Sequence, residues 1–148
     1  MSDRNTILRQ YGALPFARGE EGEIRVLLVT TRGRRHWIIP KGWPIRNLTP
    51  PAAAAQEAYE EAGLVGSIVG DEPVGSYRYE KRGSARRTVL CEVLVFLFAV
   101  ERQLRKWPEK SERETRWFAR EKASRLVAPV GLADILLDAT QQAWLSSV

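Results

Sequence analysis

The chain of 148 residues is long enough for one domain with its own core, and we expect residues 1–148 to form a single domain. Because 44% of the residues are hydrophobic, the composition excludes an intrinsically disordered chain. The 23 Lys and Arg residues outnumber the 18 Asp and Glu residues, and the net charge of +5 favours anionic partners such as nucleotides, inositol phosphates, nucleic acid or a membrane face.

Three β-strands are predicted in the first part of the chain. They cover Gln10 to Ala17, Ile24 to Thr31 and Trp37 to Ile39, where apolar and β-branched residues predominate. A charged loop containing glycines, residues 19–23, separates the first two strands. A dense basic turn, residues 32–36, joins the second strand to the third. We therefore expect a hairpin whose far end carries several positive charges.

A helix is predicted from Pro50 to Ala62. Thr49 is a suitable N-cap, and prolines are tolerated in the first turn because the N–H groups there have no intrahelical partner. Gly63 follows the helix, where glycine readily adopts the left-handed conformation that ends many helices. One side of the helix carries alanines and Tyr59, and we expect this side to pack on a sheet.

The other side of this helix carries three carboxylates. Glu57, Glu60 and Glu61 fall within an arc of roughly 100° when successive residues advance by 100°. A solvated helix surface is one interpretation, because like-charge pairs at helical spacing cost only about 0.2–0.5 kcal/mol. A divalent-cation site is the other, since Mg²⁺ and Mn²⁺ prefer hard oxygen ligands and Mg²⁺ often binds together with substrate phosphates.

The second half of the chain is predicted to contain four strands, a short helix and a longer amphipathic helix. A turn with Gly83 and Ser84 at its tip precedes the most apolar strand, and a charged segment, residues 101–112, follows that strand. The strands cover Val65 to Val69, Val74 to Lys81, Arg87 to Val100 and Glu114 to Ala119, and the short helix covers Arg120 to Leu126. The apolar stripe of the last helix consists of Leu132, Ile135, Leu136, Ala139 and Ala143.

The stretch from Gly42 to Leu64 resembles the signature of the Nudix hydrolase family. That signature has a glycine, a glutamate, an Arg-Glu pair, a Glu-Glu pair and a final glycine followed by an aliphatic residue, all at fixed spacing. The matching residues here are Gly42, Glu57, Glu60, Glu61, Gly63 and Leu64.

Two positions depart from this signature. Leu48 replaces the first glutamate, which in the family is mostly peripheral to the metals. Gln56 replaces the arginine, which usually orients a neighbouring carboxylate through a charged hydrogen bond. Gln56 can still donate a hydrogen bond but brings no charge. Because all three residues that resemble the metal ligands are present, we interpret the site as intact.

The resemblance implies a Nudix α/β/α sandwich with a mixed central sheet. It also implies hydrolysis of a pyrophosphate linkage with Mg²⁺ (or Mn²⁺) as cofactor. Glu57, Glu60 and Glu61 would be the metal ligands and catalytic residues, and Glu57 would also be a candidate for the general base. A small-molecule polyphosphate would then be the substrate.

Several cations precede the acidic helix. The basic turn and Lys41 lie on either side of a short strand, so positive charge could sit beside the carboxylates and bind phosphate oxygens. We predict substrate contacts for Arg32, Lys41 and Gly42, with solubilisation of the hairpin tip as the alternative for the other arginines of the turn. His36 is the single histidine, and we interpret it as structural.

Glu92 is the one charged residue inside the apolar strand that begins at Arg87. A buried carboxylate is costly unless it is paired or binds a cation. Nudix family members often recruit a further carboxylate from outside the signature, so Glu92 is a candidate for this role. A solvated position at the edge of the strand is the alternative.

Two further runs, HWIIPKGWP and RWFA, resemble the diphosphoinositol polyphosphate phosphohydrolase branch of the family and its bacterial relatives. A nucleoside diphosphate linked to a second group, or a diphosphoinositol polyphosphate, is therefore the expected substrate. Diadenosine polyphosphates and RNA 5′ ends contain the same linkage and are alternatives. A catalytically silent ligand sensor is another alternative, because Leu48 and Gln56 depart from the signature.

Other classes of nucleotide or nucleic-acid protein are not indicated. The chain contains neither GxxxxGK[ST] nor GxGxxG, which excludes Walker-type and Rossmann sites. No predicted helix has a continuous basic stripe, so we do not expect nucleic acid as a partner except as an RNA 5′-end substrate. The lone Cys91 excludes an internal disulfide, and no long apolar segment or signal core is present. We therefore expect a cytoplasmic protein with no membrane partner.

Overall fold

A computed structural model describes residues 6–82 and 87–138 and has a mixed β-sheet with helices on both of its faces. This arrangement confirms the predicted α/β class. The elements in chain order are β1 Ile7–Arg18, β2 Ile24–Thr30, β3 Trp37–Ile38, β4 Lys41–Gly42, α1 Pro50–Ala62, β5 Leu64–Ile68, β6 Gly75–Arg82, β7 Thr88–Gln103, β8 Thr115–Ala119, α2 Arg120–Leu126 and α3 Val130–Asp138.

The two longest strands, β1 and β7, run parallel at the centre of the sheet, from the pair Ile7–Leu90 to the pair Phe16–Ala99. The outer edge of β1 is shared by β4 and, farther along, by β2. The outer edge of β7 is likewise shared by β6 and β5. The sheet therefore forks at β1, and the short strand β4 carries Gly42 into the fork.

Each face of the sheet has its own apolar core, because alternate residues of β7 point to opposite sides. Phe96 and Phe98 pack in the core on the α1 side, whereas Val95 and Leu97 pack in the core on the α2 and α3 side. The helical residues of these two cores are Ala54, Ala58 and Ala62 in α1, Ala123 in α2, and Leu132, Ile135 and Leu136 in α3. The predicted α/β/α sandwich is confirmed.

The predicted ends of α1 are confirmed. Thr49 Oγ1 accepts a hydrogen bond of 3.3 Å from the Ala52 amide, and Gly63 ends the helix with a φ of 68°. The predicted packing side is partly wrong, because Tyr59 is 38% exposed. Ala58 lies in the alanine stripe that faces the sheet, and Tyr59 is turned about 100° away from it.

Several other boundaries differ from the predictions, among them the start of β1, which lies at Ile7 and not at Gln10. The strand β4 was not predicted, and β7 continues beyond Val100 to Gln103, which pairs with Leu64 of β5. The predicted turn tip at Gly83 and Ser84, and the predicted helix positions Ala139 and Ala143, lie outside the described residues. Among the described helices, none is long and apolar enough to cross a membrane.

Candidate active site

Glu57 of α1 lies directly over Gly42 of β4. A Cβ atom at position 42 would come within 2.4 Å of the Glu57 Cδ and Oε2 atoms. Antiparallel pairing with β1, in which Gly42 is opposite Tyr11, holds the short strand in place. Glycine at this position therefore leaves the space that the carboxyl group occupies, while its predicted contact with substrate stays a prediction.

Glu61 is a buried carboxyl group with 3% of its surface exposed. Burial, together with a hydrogen bond to Glu57, raises the pKa of Glu61 to about 9. The positive charge of Arg113 partly offsets these two effects. Burial also raises the pKa of Glu57. Among the described residues, none hydrogen-bonds to Glu61 Oε1. A buried oxygen without a hydrogen bond is costly, and a bound cation would compensate for the missing bond.

Glu60 is oriented by a neutral neighbour on the same helix. Gln56 Nε2 donates a hydrogen bond of 2.8 Å to Glu60 Oε2, across one turn of α1. Gln56 stands where the signature has arginine, so the hydrogen bond to a carboxylate is present but the positive charge is not. Any positively charged side chain that balances these carboxylates must therefore come from another part of the chain.

Two residues of the loop between β7 and β8, Glu109 and Arg113, extend the charged cluster. The Arg113 side chain is 11% exposed, and its Nε atom lies 2.9 Å from Glu109 Oε1 and 3.9 Å from Glu61 Oε1. Its Nη1 atom donates a hydrogen bond of 3.1 Å to the carbonyl of Thr30. Neither residue was predicted from the sequence to belong to the site, although their opposite charges lie at positions i and i+4.

The same loop is fastened to the C-terminal end of α1. Trp107 Nε1 donates to the carbonyl of Glu61 at 3.2 Å, and the amide of Glu109 donates to the carbonyl of Glu60 at 2.9 Å. The Trp107 ring packs so closely on Gly63 that a Cβ atom there would come within 2.3 Å of it. These contacts hold the loop carboxylate beside the carboxylates of the helix.

Lys41 and Gly42 are neighbours in β4, so their side-chain positions lie on opposite faces of the strand. Lys41 Nζ donates a hydrogen bond of 3.0 Å to the Tyr79 hydroxyl group, which in turn donates one of 2.6 Å to Gln10 Oε1. Burial lowers the pKa of Lys41, and the negative charge of Glu61 opposes this effect. Lys41 is thus a partly buried cation that interacts electrostatically with the acidic helix.

A cavity of about 290 Å³ opens beside Lys41. Its wall is mostly apolar, and of the residues that line it Lys41 is the permanent cation and Glu80 the carboxylate. His36, which was interpreted as structural, also lines this cavity. The complete lining consists of Thr31, His36, Ile38, Lys41, Tyr79, Glu80, Ala128 and Pro129.

Arg32 contacts the loop between β7 and β8. Its Nε atom lies 3.1 Å from Glu112 Oε1 and its Nη2 atom lies 3.8 Å from Glu109 Oε1, although the side chain is 67% exposed. Arg34 contacts the same loop, because its Nη2 atom donates a hydrogen bond of 3.0 Å to the carbonyl of Ser111. The predicted contact of Arg32 with substrate stays a prediction.

Glu92 is paired with arginines on the two strands that flank β7. Its carboxyl oxygens lie 3.3 Å from Arg9 Nη2 and 3.7 Å from Arg78 Nε. The charge of this carboxylate is thereby compensated without a metal ion. The role of Glu92 as an additional carboxylate of the site stays a prediction. Glu109 is a second candidate for that role, because it forms an ion pair with Arg113, which also faces Glu61.

The donor set of α1 fits a hard divalent cation. Glu57, Glu60 and Glu61 offer the carboxylate oxygens that Mg²⁺ and Mn²⁺ prefer, and one of these oxygens is buried without a hydrogen bond among the described residues. In residues 6–82 and 87–138, no three His, Cys, Asp or Glu side chains already stand in metal-ligating geometry. Instead, Glu57 hydrogen-bonds to Glu61, so metal binding requires this contact to be exchanged, whereas Gln56 occupies only one oxygen of Glu60.

Comparisons with known sequences agree with the signature on α1. The model of the NUDIX domain matches residues 8–138. Nudix hydrolase 13, mitochondrial, and Nudix hydrolase 12, mitochondrial, both of Arabidopsis thaliana, are 31% and 32% identical to this chain. The matches cover 66% and 70% of this chain but 50% and 52% of those proteins. The chain thus spans about half the length of these curated relatives.

Solved structures share the same fold. A C. elegans Ap4A hydrolase binary complex aligns with a TM-score of 0.67 and 17% identity, over 96% of this chain and 100% of that one. The NUDIX domain of Shewanella oneidensis NrtR complexed with ADP ribose aligns with a TM-score of 0.65 and 14% identity, over 97% and 89%. At such low identity, these similarities bear on the fold alone.

Proposed function

Because this chain belongs to the NUDIX domain family, we propose that it is a metal-dependent hydrolase of pyrophosphate linkages. The observation that carries the proposal is the buried carboxyl group of Glu61, which has an oxygen without a hydrogen bond among the described residues. Glu61 shares one face of α1 with Glu57 and Glu60, and such a set of oxygens would suit a divalent cation that neutralises phosphate charge.

Glu57, Glu60 and Glu61 are the residues that would hold Mg²⁺ or Mn²⁺. When bound, such an ion neutralises phosphate oxygens and lowers the pKa of water in its coordination shell. The chain supplies the orientation of these ligands through Gln56, which hydrogen-bonds to Glu60, and through the packing of Glu57 on Gly42. The reaction then needs a base and a pocket for the rest of the substrate.

Glu57 is the base that we assign. Its carboxyl group is half-buried, and burial raises its pKa towards the range in which a carboxylate accepts a proton effectively. The oxygen of a water molecule forms a new bond to phosphorus, and its proton passes to the Glu57 carboxylate. The bond from phosphorus to the bridging oxygen breaks in line, and the leaving phosphate takes the electron pair.

A nucleoside diphosphate linked to a second group is the substrate class that we favour. The cavity beside Lys41, about 290 Å³, is mostly apolar and has room for a planar ring or a sugar. Lys41, with its ammonium group oriented by Tyr79, would bind a phosphate oxygen.

A diphosphoinositol polyphosphate is the second candidate, and the basic turn favours it. Arg32 and Arg34 would have to release Glu112, Glu109 and the Ser111 carbonyl to reach such a substrate. Its many phosphates would need several cations, which this turn contains. Diadenosine polyphosphates and RNA 5′ ends present the same linkage to the carboxylates and belong in the same assay.

The test is release of phosphate or pyrophosphate from these substrates with Mg²⁺, Mn²⁺ or EDTA. We expect metal-dependent turnover that falls by about 100-fold or more in Glu60→Gln and Glu61→Gln. Glu20→Gln removes the same charge from an exposed position in the loop between β1 and β2 and should retain activity. Full activity in Glu61→Gln would contradict the proposal, and metal-dependent ligand binding without turnover would support a silent sensor instead.

The compartment is a separate proposal. Cys91 is buried and unpaired, which suits a reducing compartment such as the cytoplasm. The two Arabidopsis relatives are named as mitochondrial, so a mitochondrial location is the alternative. Fractionation of cells that express the native protein would separate these locations.

A further inference from the structure

We propose that Arg113 is a positioning residue of this site, whose guanidinium group holds Glu61 and Glu109 beside the metal-binding face of α1. It supplies a positive charge that Gln56 does not bring to the helix. The inference rests on the proposed metal-dependent function, because it concerns how the carboxylates of that site are kept together.

The position of Arg113 is fixed on several sides. Its Nε atom faces Glu109 Oε1 at 2.9 Å and Glu61 Oε1 at 3.9 Å, while its Nη1 atom donates to the carbonyl of Thr30 at 3.1 Å. The next residue, Glu114, exchanges two backbone and side-chain hydrogen bonds of 3.0 and 2.9 Å with Thr30. The hydrogen bond to strand β2 therefore fixes the guanidinium group. If a carboxylate moved, the guanidinium group would stay in place.

The number of carboxyl groups at the site explains why a positively charged side chain is needed beside them. Glu57, Glu60, Glu61 and Glu109 bring four carboxyl groups together, because the loop is fastened to α1 through the Glu60 and Glu61 carbonyls. A planar guanidinium group can face oxygens of two carboxylates at once. Without it, mutual repulsion would separate the carboxyl groups or favour their protonation, and either change weakens a metal site.

A single arginine on the helix could both orient a carboxylate and supply positive charge. In this chain Gln56 does the first and Arg113 does the second. Gln56 orients Glu60 through a neutral hydrogen bond of 2.8 Å, whereas Arg113 faces Glu61 from the loop. An arginine at position 56 would place a positive charge on the same carboxylate face. It should therefore make the site less dependent on the loop arginine.

The experiment measures Mn²⁺ binding to the full chain by isothermal titration calorimetry. We expect Arg113→Gln to weaken binding by about 10- to 100-fold, as is usual when a partner that orients metal ligands is removed. Adding Gln56→Arg to this variant should recover most of the lost affinity. Arg34→Gln is the matched control, because Arg34 fastens the same loop at the Ser111 carbonyl without an ion pair to these carboxylates. It should bind Mn²⁺ within about twofold of the parent chain.

Kinetics give a second measurement on Arg113→Gln and on its double variant with Gln56→Arg. Because Arg113 faces the carboxylates and not the cavity beside Lys41, kcat at fixed metal should fall while KM for the substrate stays within about threefold. If Arg113→Gln does not fold, as judged by circular dichroism, Arg113→Lys replaces it. Lysine keeps the charge but lacks the planar fork, and about a tenfold loss of Mn²⁺ affinity is expected.

The outcomes separate this inference from the proposed function. Absence of Mn²⁺ binding by the parent chain, or binding that Glu61→Gln leaves unchanged, would overturn the proposed function and this inference with it. Binding that Glu61→Gln abolishes but neither Arg113→Gln nor Arg113→Lys weakens would overturn this inference alone. Equal losses in Arg113→Gln and Arg34→Gln would assign the effect to loop order and would also overturn it.

Discussion

The carboxyl group of Glu57 occupies the space that any side chain at Gly42 would need, with a separation of 2.4 Å between Glu57 Cδ and a Cβ atom at position 42. In Gly42→Ala the end of the flexible glutamate must move, so the fold should survive with a loss of about 1 kcal/mol or less in the free energy of unfolding. The displaced carboxylate should lower kcat by about 100-fold.

Gly33→Ala is the control for this substitution, because the nearest atom to a Cβ there is Arg35 Cγ at 3.9 Å. It should keep both activity and stability. Thermal denaturation and steady-state kinetics on the two alanine variants test the expectation. Normal kcat in a folded Gly42→Ala protein would show that the position of Glu57 is not critical.

The raised pKa of Glu61 makes the stability of the metal-free protein depend on pH. Its pKa is about 9 in the folded protein against an ordinary value of 4.5, so over this interval the folded state retains a proton that the unfolded chain has released. The free energy of unfolding should therefore fall as pH rises from 4.5 towards 9, by at most about 1.4 kcal/mol per pH unit. Urea denaturation in EDTA across this range measures the slope, and Glu61→Gln should flatten it. A stability that rises with pH in this interval would contradict the prediction.

Added Mg²⁺ should oppose this loss of stability at high pH. Metal binding requires ionised carboxylates, so the ion must displace the proton that Glu57 and Glu61 share. The increase in Tm on adding Mg²⁺ should thus be larger at high pH than at low pH. Differential scanning fluorimetry with and without the ion at matched ionic strength measures the difference. An increase in Tm that is the same at every pH would argue against proton displacement.

Local sequence patterns were sufficient to predict most of the fold. The helix α1 begins after Thr49 and ends at Gly63 because both caps are encoded within the segment itself. The two-residue strand β4 could not be predicted in this way, since Lys41 and Gly42 have no periodicity of their own. Their pairing with β1 is a tertiary contact between distant parts of the sequence.

The candidate site was predictable only as far as its signature extends. The positions of Glu57 and Glu61 on one helix follow from their spacing, but the burial of Glu61 depends on how α1 packs on the sheet. Glu109 and Arg113 come to the site because a loop far along the chain hydrogen-bonds to the end of α1. No local pattern in the loop specifies that contact.

Lys41 should affect substrate binding more than the chemical step. Lys41→Met removes the cation beside the cavity, and we expect KM to rise by about tenfold with a smaller change in kcat. Burial lowers the pKa of Lys41, which means that the charged ammonium is costly in the folded protein at neutral pH. The methionine variant should therefore be at least as stable as the parent.

Lys81→Met provides the comparison, because Lys81 is an exposed lysine of β6 near the same cavity residue Glu80. It removes the same charge and should leave KM within about twofold of the parent value. Enzyme kinetics and thermal denaturation on both variants separate a specific contact from a change in net charge. An equal rise of KM in the two proteins would argue for long-range attraction alone.

Glu109 and Glu92 are the two candidates for an additional carboxylate of the site. Glu109→Gln should lower kcat by about 10- to 100-fold, because Glu109 shares Arg113 with Glu61. Glu92→Gln removes an equal charge from a carboxylate whose partners, Arg9 and Arg78, have side chains that are 57% and 56% exposed. Ion pairs with such exposed partners contribute about 1 kcal/mol or less, so activity and stability should change little.

Steady-state kinetics on the two variants decide between Glu109 and Glu92. A large loss of activity in Glu92→Gln with normal activity in Glu109→Gln would restore Glu92 as the additional carboxylate. The expected result would instead assign that role to the loop between β7 and β8, since this loop brings its carboxylate to the helix through backbone hydrogen bonds.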